Sequence, residues 1–273
     1  MEAGTARIRS ATLSYQRGRW HVSFSVELPD PTPPARTGDR VVGVDLGITD
    51  LAVLPTGEHV PNPRRLDAQL RRLRRAARVC ARRRGPARRA RTEGSNRWRK
   101  ARARAERIHT RVAAARRDHL HKLTSRLVTE FDVIGIEDLA VANMLRNRRL
   151  SRHIAAASWA ELRRQVEYKS AHVGVRLVVV DRWTPSSKTC SGCGVVRTKL
   201  ALSERTFVCP ACGLVLDRDH NAACNLAALA ADTGELRREL LDGSGVRPGV
   251  RARPAVASPR DAAGAVLAQR SAG

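Results

Sequence analysis

Residues 41–45 read Val-Val-Gly-Val-Asp, a short apolar run that ends in a carboxylate. A run of this length and composition predicts a buried strand. A second run, Phe131 to Ile136, leads into Glu137 and Asp138, and a third strand is predicted at Val175 to Val180. Acids at the carboxyl ends of buried strands converge at one edge of an open α/β sheet. The sequence therefore predicts an α/β fold with acidic residues gathered at one sheet edge.

The chain around the first buried strand predicts further β-structure. Residues 7–28 alternate apolar and polar side chains on both sides of Gly18, which predicts a β-hairpin with its turn at that glycine. Residues 31–40 are rich in Pro and predict a linker. A second strand is predicted at Leu51 to Leu54, so the sheet continues directly after the first acid.

Positive charge dominates the composition. The 273 residues carry a formal net charge of +25 with a sequence pI near 11.5, which favours nucleic acid as the partner. Between Arg64 and Arg117, 21 Arg and one Lys face three acids, so this stretch alone contributes +19. The alternative is a basic membrane-surface protein, which would need an aromatic-faced amphipathic segment or an 18-residue apolar run. The chain has neither, so we expect a nucleic-acid partner and no membrane.

Apolar spacing predicts helices between and after the strands. Two fall in the basic region, around Leu66 to Ala77 and Ile108 to Leu127. Others are predicted after Trp159 and over Asp219 to Ala231. From residue 232 onward the chain is rich in Ala, Arg, Gly and Pro, which predicts a mostly disordered tail.

Three tryptophans beyond the hairpin are interpreted as packing residues rather than base-stacking platforms. Aromatic side chains make up only 3% of the chain, so each is expected to serve a core. They are Trp98, Trp159 and Trp183.

Four cysteines form two CxxC pairs with 15 residues between them, namely Cys190, Cys193, Cys209 and Cys212. Four thiolates at this spacing suit tetrahedral zinc, and Gly194 and Gly213 allow the sharp turns that point amide N–H groups at the sulfurs. A disulfide is disfavoured because no secretory signal follows Met1, which predicts a reducing, cytoplasmic location. A redox CxxC would not need two copies. Since all four ligands come from the protein, the zinc is expected to be structural.

Three acids form the second candidate site: Asp45, Glu137 and Asp219. At a separation of about 4 Å and an effective dielectric of about 20, two carboxylates repel by about 4 kcal/mol, so the trio would need cations. Mg²⁺ or Mn²⁺ suits carboxylate ligands and phosphodiester hydrolysis. Each acid alone could serve a turn or a helix cap, and the cap of the last helix could be Asp219, Asp217 or Asn221.

Four motifs in order along the chain together resemble the TnpB (OrfB) proteins of bacterial insertion sequences. The resemblance spans roughly residues 7–231, far more than a single motif would. The motifs are Gly43-Val44-Asp45-Leu46-Gly47, Ile136-Glu137-Asp138-Leu139, Pro185-Ser186-Ser187-Lys188-Thr189-Cys190 and Asp217-Arg218-Asp219-His220-Asn221-Ala222-Ala223.

This resemblance implies a RuvC-type, ribonuclease H-like mixed sheet with a basic helical insertion and a zinc ribbon. Compared with the family pattern, the chain is expected to begin at the last hairpin of a wedge domain, as an N-terminally truncated member. The implied parts are a residual wedge-type hairpin and linker at 1–36, a RuvC-like nuclease core at 37–185 with a basic helical insertion at 64–130, a zinc ribbon at 186–216, a last RuvC motif and helix at 217–232, and a disordered tail at 233–273.

The resemblance also implies a function. Asp45, Glu137 and Asp219 would hold catalytic Mg²⁺ or Mn²⁺ in an endonuclease of a transposable element that cleaves DNA under the guidance of an RNA. The chain would act in the bacterial cytoplasm, associated with the nucleoid. Two alternatives stay open at this point: a truncated nucleic-acid-binding remnant without productive cleavage, and a transposase that transfers strands itself.

Overall fold

The computed structural model describes most of the chain from Arg7 to Leu241. The described residues are 7–16, 19–27, 36, 38–87, 89, 91–201 and 203–241, with side chains described for all of these except 16, 19 and 233–241. Residues up to Glu235 belong to one unit and residues from Leu236 onward to another.

The first element is an antiparallel hairpin of β1 (Arg7–Gln16) and β2 (Arg19–Glu27). This confirms the hairpin predicted from the alternating sequence, whereas the predicted turn at Gly18 lies outside the described residues. Tyr15 pairs with Trp20 across the strands, with ring centroids 5.0 Å apart. The large apolar side chains of the hairpin are exposed, namely Ile8, Leu13, Tyr15, Trp20, Val22, Phe24 and Val26.

Five further strands build a mixed sheet. They are β3 (Val41–Val44), β4 (Asp50–Val53), β5 (His59–Pro61), β6 (Val133–Glu137) and β7 (Arg176–Val180). Strands β3, β6 and β7 are parallel in that spatial order, and β4 pairs antiparallel with β5. A bridge of two backbone hydrogen bonds joins β4 to the end of β3. The Asp45 N–H donates to the Val53 carbonyl at 3.1 Å, and the Val53 N–H donates to the Asp45 carbonyl at 2.8 Å. The resulting order is β5-β4-β3-β6-β7.

The strands agree with the predicted apolar runs to within two residues. The predicted second strand included Leu54, but its N–H donates to the Glu58 oxygen and so belongs to the turn before β5. The predicted run at Phe131 begins earlier than β6 because Phe131 caps the preceding helix. The α/β class predicted from these runs is confirmed.

Six helices are described: α1 (Arg65–Ala81), α2 (Asn96–Glu130), α3 (Val141–Met144), α4 (Ser151–Ala157), α5 (Trp159–Val173) and α6 (Arg218–Leu241). The two helices predicted in the basic region are α1 and α2. Helix α2 begins at a cap, where the Ser95 Oγ accepts the Trp98 N–H at 3.2 Å. None of the described helices offers an apolar stretch that could span a bilayer.

The core lies between the sheet and the helices α2 and α5. Alternate strand residues such as Val44 and Ile136 are at most 1% exposed and contact Leu127 and Leu162 on the helices. The apolar residues of α2 that pack here lie in its C-terminal half, so its N-terminal half extends beyond the core with its arginines exposed. The helical region therefore has a packed end and a charged end.

A small module follows β7. Strands β8 (Thr206–Val208) and β9 (Val215–Asp217) pair antiparallel, and Phe207 forms its own small core with two of the cysteines. This module leads directly into α6. Helix α6 continues to Leu241, so the predicted tail from residue 232 was wrong in its start; residues 242–273 lie outside the described part of the chain.

The tryptophans differ in their surroundings. Trp159 is 3% exposed, as a packing residue should be. Trp183 is 84% exposed, so its predicted packing role was wrong. It lies in a turn after β7, where its backbone N–H donates to the Asp181 carboxylate at 2.8 Å. Among the described residues, no element covers the indole ring.

Candidate carboxylate and cysteine sites

Asp45 and Glu137 lie side by side at the carboxyl edge of the sheet. Val44 pairs with Ile136 in the parallel register of β3 and β6, so the next residue of each strand is an acid. Neighbouring strands lie about 4.8 Å apart, which keeps the two backbones close at this point. The sequence-based expectation that these strand-end acids meet at one edge is confirmed for this pair.

Helix α6 brings the third acid to the same edge. It packs on the sheet face where Gly43 and Gly135 lie opposite each other in register. A Cβ on Gly43 would lie 2.1 Å from the Ala223 oxygen, and one on Gly135 would lie 2.6 Å from the Leu226 oxygen. Because neither glycine has a side chain, the helix backbone rests directly on the strands. Asp219, one turn before Ala223, is thereby placed near the sheet edge.

The other two acids act electrostatically on Asp45. Burial raises the pKa of Asp45 well above its ordinary value, and Glu137 and then Asp219 raise it further, while Arg218 lowers it. The three carboxylates are nevertheless not a preformed ion cage. Among the described residues, only the four cysteines have ligand atoms that all lie within 4.8 Å of one another.

Asp219 is held by arginines, and it does not cap α6. Arg218 donates to its Oδ1 from Nε at 3.0 Å and from Nη2 at 2.9 Å, and Arg205 lies 3.5 Å from its Oδ2. The cap is Asp217, whose Oδ1 accepts the N–H groups of Asp219 at 2.9 Å and His220 at 3.0 Å. The alternative that Asp219 serves only as a helix cap is therefore removed.

The two acids at the end of β6 have different partners. Glu137 accepts a hydrogen bond from the Ser186 hydroxyl, in the loop between β7 and the first CxxC pair. Asp138 instead binds Arg163 at 2.6 Å and also Arg182, and its hydrogen bond with Arg163 is the largest cause of its lowered pKa. Asp138 therefore ties the strand end to α5, and Glu137 is the acid that acts on Asp45.

The four cysteines converge on one point. Sγ–Sγ distances are 3.6 Å for Cys190 with Cys212 and for Cys193 with Cys209. Tetrahedral zinc with Zn–S bonds of about 2.3 Å needs sulfurs about 3.8 Å apart, whereas a disulfide needs about 2.05 Å. Backbone N–H groups of Cys212 and Ala211 help to lower the pKa of Cys209 to about 6, whereas hydrogen bonds with the neighbouring cysteines raise the pKa of Cys193 to about 12. The cluster can bind a metal such as zinc.

Both knuckles turn at the predicted glycines. Gly194 and Gly213 have φ of 75° and 74°, in the left-handed region that glycine adopts without strain. Their N–H groups donate to the oxygens of Cys190 at 2.9 Å and Cys209 at 3.1 Å. The knuckle geometry predicted from the CxxCG pattern is confirmed.

Three contributors to the site were missed from the sequence: Gly135, Ser186 and Asn225. Gly135 shares its register with Gly43, a pairing that only the sheet reveals. Asn225 stands four residues after Asn221, within an Ala-rich and otherwise apolar stretch at 222–231. Two buried amides at helical spacing could have marked a polar contact on that face.

Two family models match the chain. Residues 23–148 match OrfB_IS605, described as a probable transposase, and residues 159–226 match the TNB domain of Cas12f1-like proteins. The first match contains Asp45 and Glu137. The second contains the four cysteines and Asp219.

Several curated relatives match at the level of sequence. A protein of Streptomyces pristinaespiralis named "Putative RNA-guided DNA endonuclease" is 45% identical over 88% of this chain and 56% of its own length. The similarly named InsQ of Escherichia coli K12 is 30% identical over 82% of this chain and 57% of its own. The chain thus spans about half the length of the curated relatives it matches.

A solved Cas12f1–sgRNA–target DNA complex aligns over 79% of this chain and 55% of the solved chain, with 14% identity and a TM-score of 0.48. The matches at the level of sequence, to the two family models and to the curated relatives, carry the assignment. These confirm the resemblance predicted from the ordered motifs, and the chain belongs to the TnpB (OrfB) family of transposon-associated proteins.

Proposed function

We propose that the chain is a divalent-cation-dependent endonuclease of a transposable element that cleaves DNA under the guidance of an RNA. The names of the relatives support the reaction and the guide. The observation that carries the proposal is the placement of the three acids, which lie far apart in sequence: Asp45 and Glu137 follow paired residues of neighbouring strands, and α6 packs on the sheet so that Asp219 lies near the same edge. Such a gathering of like charges, partly buried, favours a site for cations over a structural role.

The donor set fits Mg²⁺ or Mn²⁺. Asp45, Glu137 and Asp219 offer only carboxylate oxygens, the ligands that these hard cations prefer. When bound, such ions would activate a water and stabilise the leaving oxygen of a phosphodiester. Arg218 holds Asp219 in the described arrangement, so we expect this carboxylate to turn from the arginine towards Asp45 when a cation binds.

The residues around the acids would orient rather than react. Ser186 holds one oxygen of Glu137, which leaves the other oxygen to face the site. Asp138, bound to Arg163 and Arg182, fixes the strand end that carries Glu137. No protein nucleophile is required, because water is the attacking group in this reaction class.

We propose the finer fold as ribonuclease H-like, with the cysteines holding structural zinc. The order β5-β4-β3-β6-β7, with the antiparallel pair at one side and acids at the ends of β3 and β6, supports this assignment. The RuvC-like core, helical insertion and zinc ribbon would then follow the boundaries predicted from the sequence, apart from the longer last helix.

We propose that the exposed arginines of α1 and α2 bind the phosphate backbone of the nucleic acid. The helical pair supplies most of the net charge but contributes only part of its length to the core. Like charges at this density, with few acids among them, favour a polyanion because its binding releases condensed counterions.

The test is cleavage by the purified full chain. Labelled single-stranded DNA is incubated with Mg²⁺ or Mn²⁺ and with the protein together with the RNA that copurifies with it, and we expect cutting that disappears in Asp45→Ala, Glu137→Ala and Asp219→Ala. The matched control is Asp118→Ala, which removes an exposed acid that pairs with Lys122 on α2. Equal cutting by all four variants would identify a contaminant and end the proposal.

A second candidate is a nucleic-acid-binding protein without cleavage. We keep it because the chain matches only 56% and 57% of the length of two of its relatives. Binding of DNA or RNA without any Asp45-dependent cutting would select this candidate. A joined product with a labelled transposon end would instead select strand transfer.

A further inference from the structure

The first cysteine knuckle is bonded to α6 by one side-chain amide. The Oδ1 of Asn221 accepts the Ser191 N–H at 3.0 Å, and its Nδ2 donates to the Thr189 oxygen at 2.7 Å. Asn221 is fully buried, and the two backbone groups that it binds flank Cys190. Each end of the amide therefore holds the backbone on one side of a cysteine ligand.

A second amide one helical turn later extends this contact. The Nδ2 of Asn225 donates to the oxygens of Ser186 and Thr189, both at 2.7 Å. Ser186 is itself buried, and its hydroxyl donates to Glu137. A continuous path of hydrogen bonds thus runs from the cysteine knuckle to one of the three acids.

The same helix carries another of the acids. Residues 221 and 225 lie on one face of α6, as residues four apart do, while Ala223 faces Gly43 on the sheet. Asp219 precedes Asn221 in the same turn. On the other side, the Nε2 of His220 lies 2.9 Å from the Pro55 oxygen of the β4–β5 turn. The position of Asp219 is therefore fixed by contacts with the sheet, the turn and the knuckle.

From this geometry we infer that Asn221 and Asn225 are positioning residues that couple metal binding at the cysteines to cation binding at the carboxylates. The inference rests on the proposed function of the three acids. A metal held by the four cysteines would order the knuckle, and the two amides would pass that order to Ser186 with Glu137 and to the first turn of α6 with Asp219. The cysteine module would then help to position two of the carboxylates, Glu137 and Asp219.

Only an amide fits at residue 221. It supplies one donor and one acceptor to two fixed backbone groups, whereas a carboxylate would lack the donor and face the Thr189 oxygen with a negative charge. Coupled sites must also influence each other reciprocally, so a cation at the carboxylates has to tighten metal binding at the cysteines by the same factor.

The experiment measures Mn²⁺ affinity by the electron paramagnetic resonance signal of free Mn²⁺, with the full chain and without nucleic acid. Zinc-loaded protein is compared with protein from which a zinc-selective chelator has removed the metal. We expect removal of zinc to weaken Mn²⁺ binding about 10-fold, the lower end of what outer-shell changes do to metal affinity. We also expect Mn²⁺ to slow zinc release, followed with a colorimetric zinc indicator.

The variants locate the coupling. Zinc-loaded Asn221→Ala and Asn225→Ala should bind Mn²⁺ as weakly as the zinc-free wild type, with little further loss when zinc is removed. If Asn221→Ala does not fold, Asn225→Ala carries the test, because it removes only the bonds to the Ser186 and Thr189 oxygens. The matched control is Asn147→Ala, which removes an exposed amide whose Oδ1 accepts the nearby Arg149 backbone N–H at 3.0 Å. Circular dichroism checks the fold of each variant.

Two negative outcomes are distinguishable. Equal Mn²⁺ affinity with and without zinc, or unchanged coupling in both asparagine variants, would overturn the inference and leave the nuclease proposal standing. Absence of any Mn²⁺ binding that depends on Asp45 in the zinc-loaded wild type would overturn both.

Discussion

At Asp45, burial and two neighbouring acids act in the same direction. Because its folded-state pKa is raised, the folded chain keeps a proton there that the unfolded chain has already released above the ordinary carboxyl pKa. Ionisation of Asp45 therefore lowers the stability of the folded state as the pH rises above that ordinary value. The acid is retained at a cost in stability, which is common for residues of a functional site.

Asp45→Asn should stabilise the zinc-loaded chain at neutral pH when no Mg²⁺ or Mn²⁺ is present, because it removes the buried charge. We expect the Tm to rise by about 2–4 °C, the shift that about 1 kcal/mol gives in a chain of this size. The gain should vanish near pH 4, where the wild-type carboxyl is protonated. Thermal unfolding at several pH values checks this, and a lower Tm at every pH would show that the carboxylate makes a net favourable contact.

Trp183 shows a different property of a single residue. Its indole is 84% exposed on a turn whose backbone is tied to Asp181, and it lies three residues before Ser186 in sequence. An exposed indole three residues before the serine that bonds Glu137 suits stacking on an unpaired base. The interpretation of this tryptophan as a packing residue failed because turn residues carry no periodic signal for burial.

Trp183→Ala should weaken binding of single-stranded DNA about 10-fold, since stacking of one base is worth about 1–3 kcal/mol. The Tm should stay unchanged because the ring buries little surface in the folded chain. Fluorescence anisotropy with a labelled oligonucleotide measures the affinity. Trp20→Ala, which removes an exposed indole from the hairpin, is the control, and an equal loss in both variants would argue against a specific stacking contact.

At the scale of elements, the seat of α6 on the sheet decides where Asp219 lies. Gly43 and Gly135 allow the α6 backbone to contact the strands directly. A Cβ at either position would clash with main-chain atoms of α6, and no change of side-chain rotamer could relieve that clash. Helix α6 therefore contacts the strands at two points, where Ala223 lies against Gly43 and Leu226 lies against Gly135. A shift of the helix at either point would carry the third acid away from the other two.

Gly43→Ala should therefore destabilise the chain by about 3 kcal/mol or more, at the upper end of what overpacking costs. Cation binding should be lost together with stability because α6 has to lift from the sheet. The control is Gly85→Ala, whose new methyl would meet the indole of Trp98 at 3.1 Å, a side chain that can move. Denaturant titration compares the two, and equal stability losses would show that the helix tolerates displacement.

The elements that could be predicted are those with a local signal. The apolar runs marked β3 and β6, the Leu spacing marked α1 and α2, and the CxxCG pattern marked both knuckles. The order of the motifs then indicated which acids belong together. What could not be predicted depends on contacts between distant segments: Gly135 matters only because α6 packs on it, and Ser186 matters only because its loop returns to Glu137, 49 residues away in sequence.

For the molecule as a whole, the arginine-rich surface and the candidate carboxylate site lie on different elements. The carboxylates lie at the sheet edge, whereas the arginines concentrate on α1 and the N-terminal half of α2. Arg104, Arg107 and Arg111 are exposed at spacings of three and four, so they lie on one side of α2. If a strand of nucleic acid lies along this side, the arginines would contact its phosphates and would not need to contact its bases.

Replacing Arg104, Arg107 and Arg111 together by Gln should weaken binding of single-stranded RNA and DNA irrespective of sequence. Because each phosphate contact on a single strand contributes about −0.7 to the slope of log K against log salt concentration, the slope should become shallower by about 2. The matched control makes the same charge change elsewhere, in the exposed loop before α4, by replacing Arg146, Arg148 and Arg149 by Gln. Affinities are measured by fluorescence anisotropy between about 50 and 200 mM salt, the range over which such contacts change affinity strongly. If both triple variants lose the same amount, net charge alone attracts the nucleic acid; a loss confined to the first shows that α2 binds the backbone.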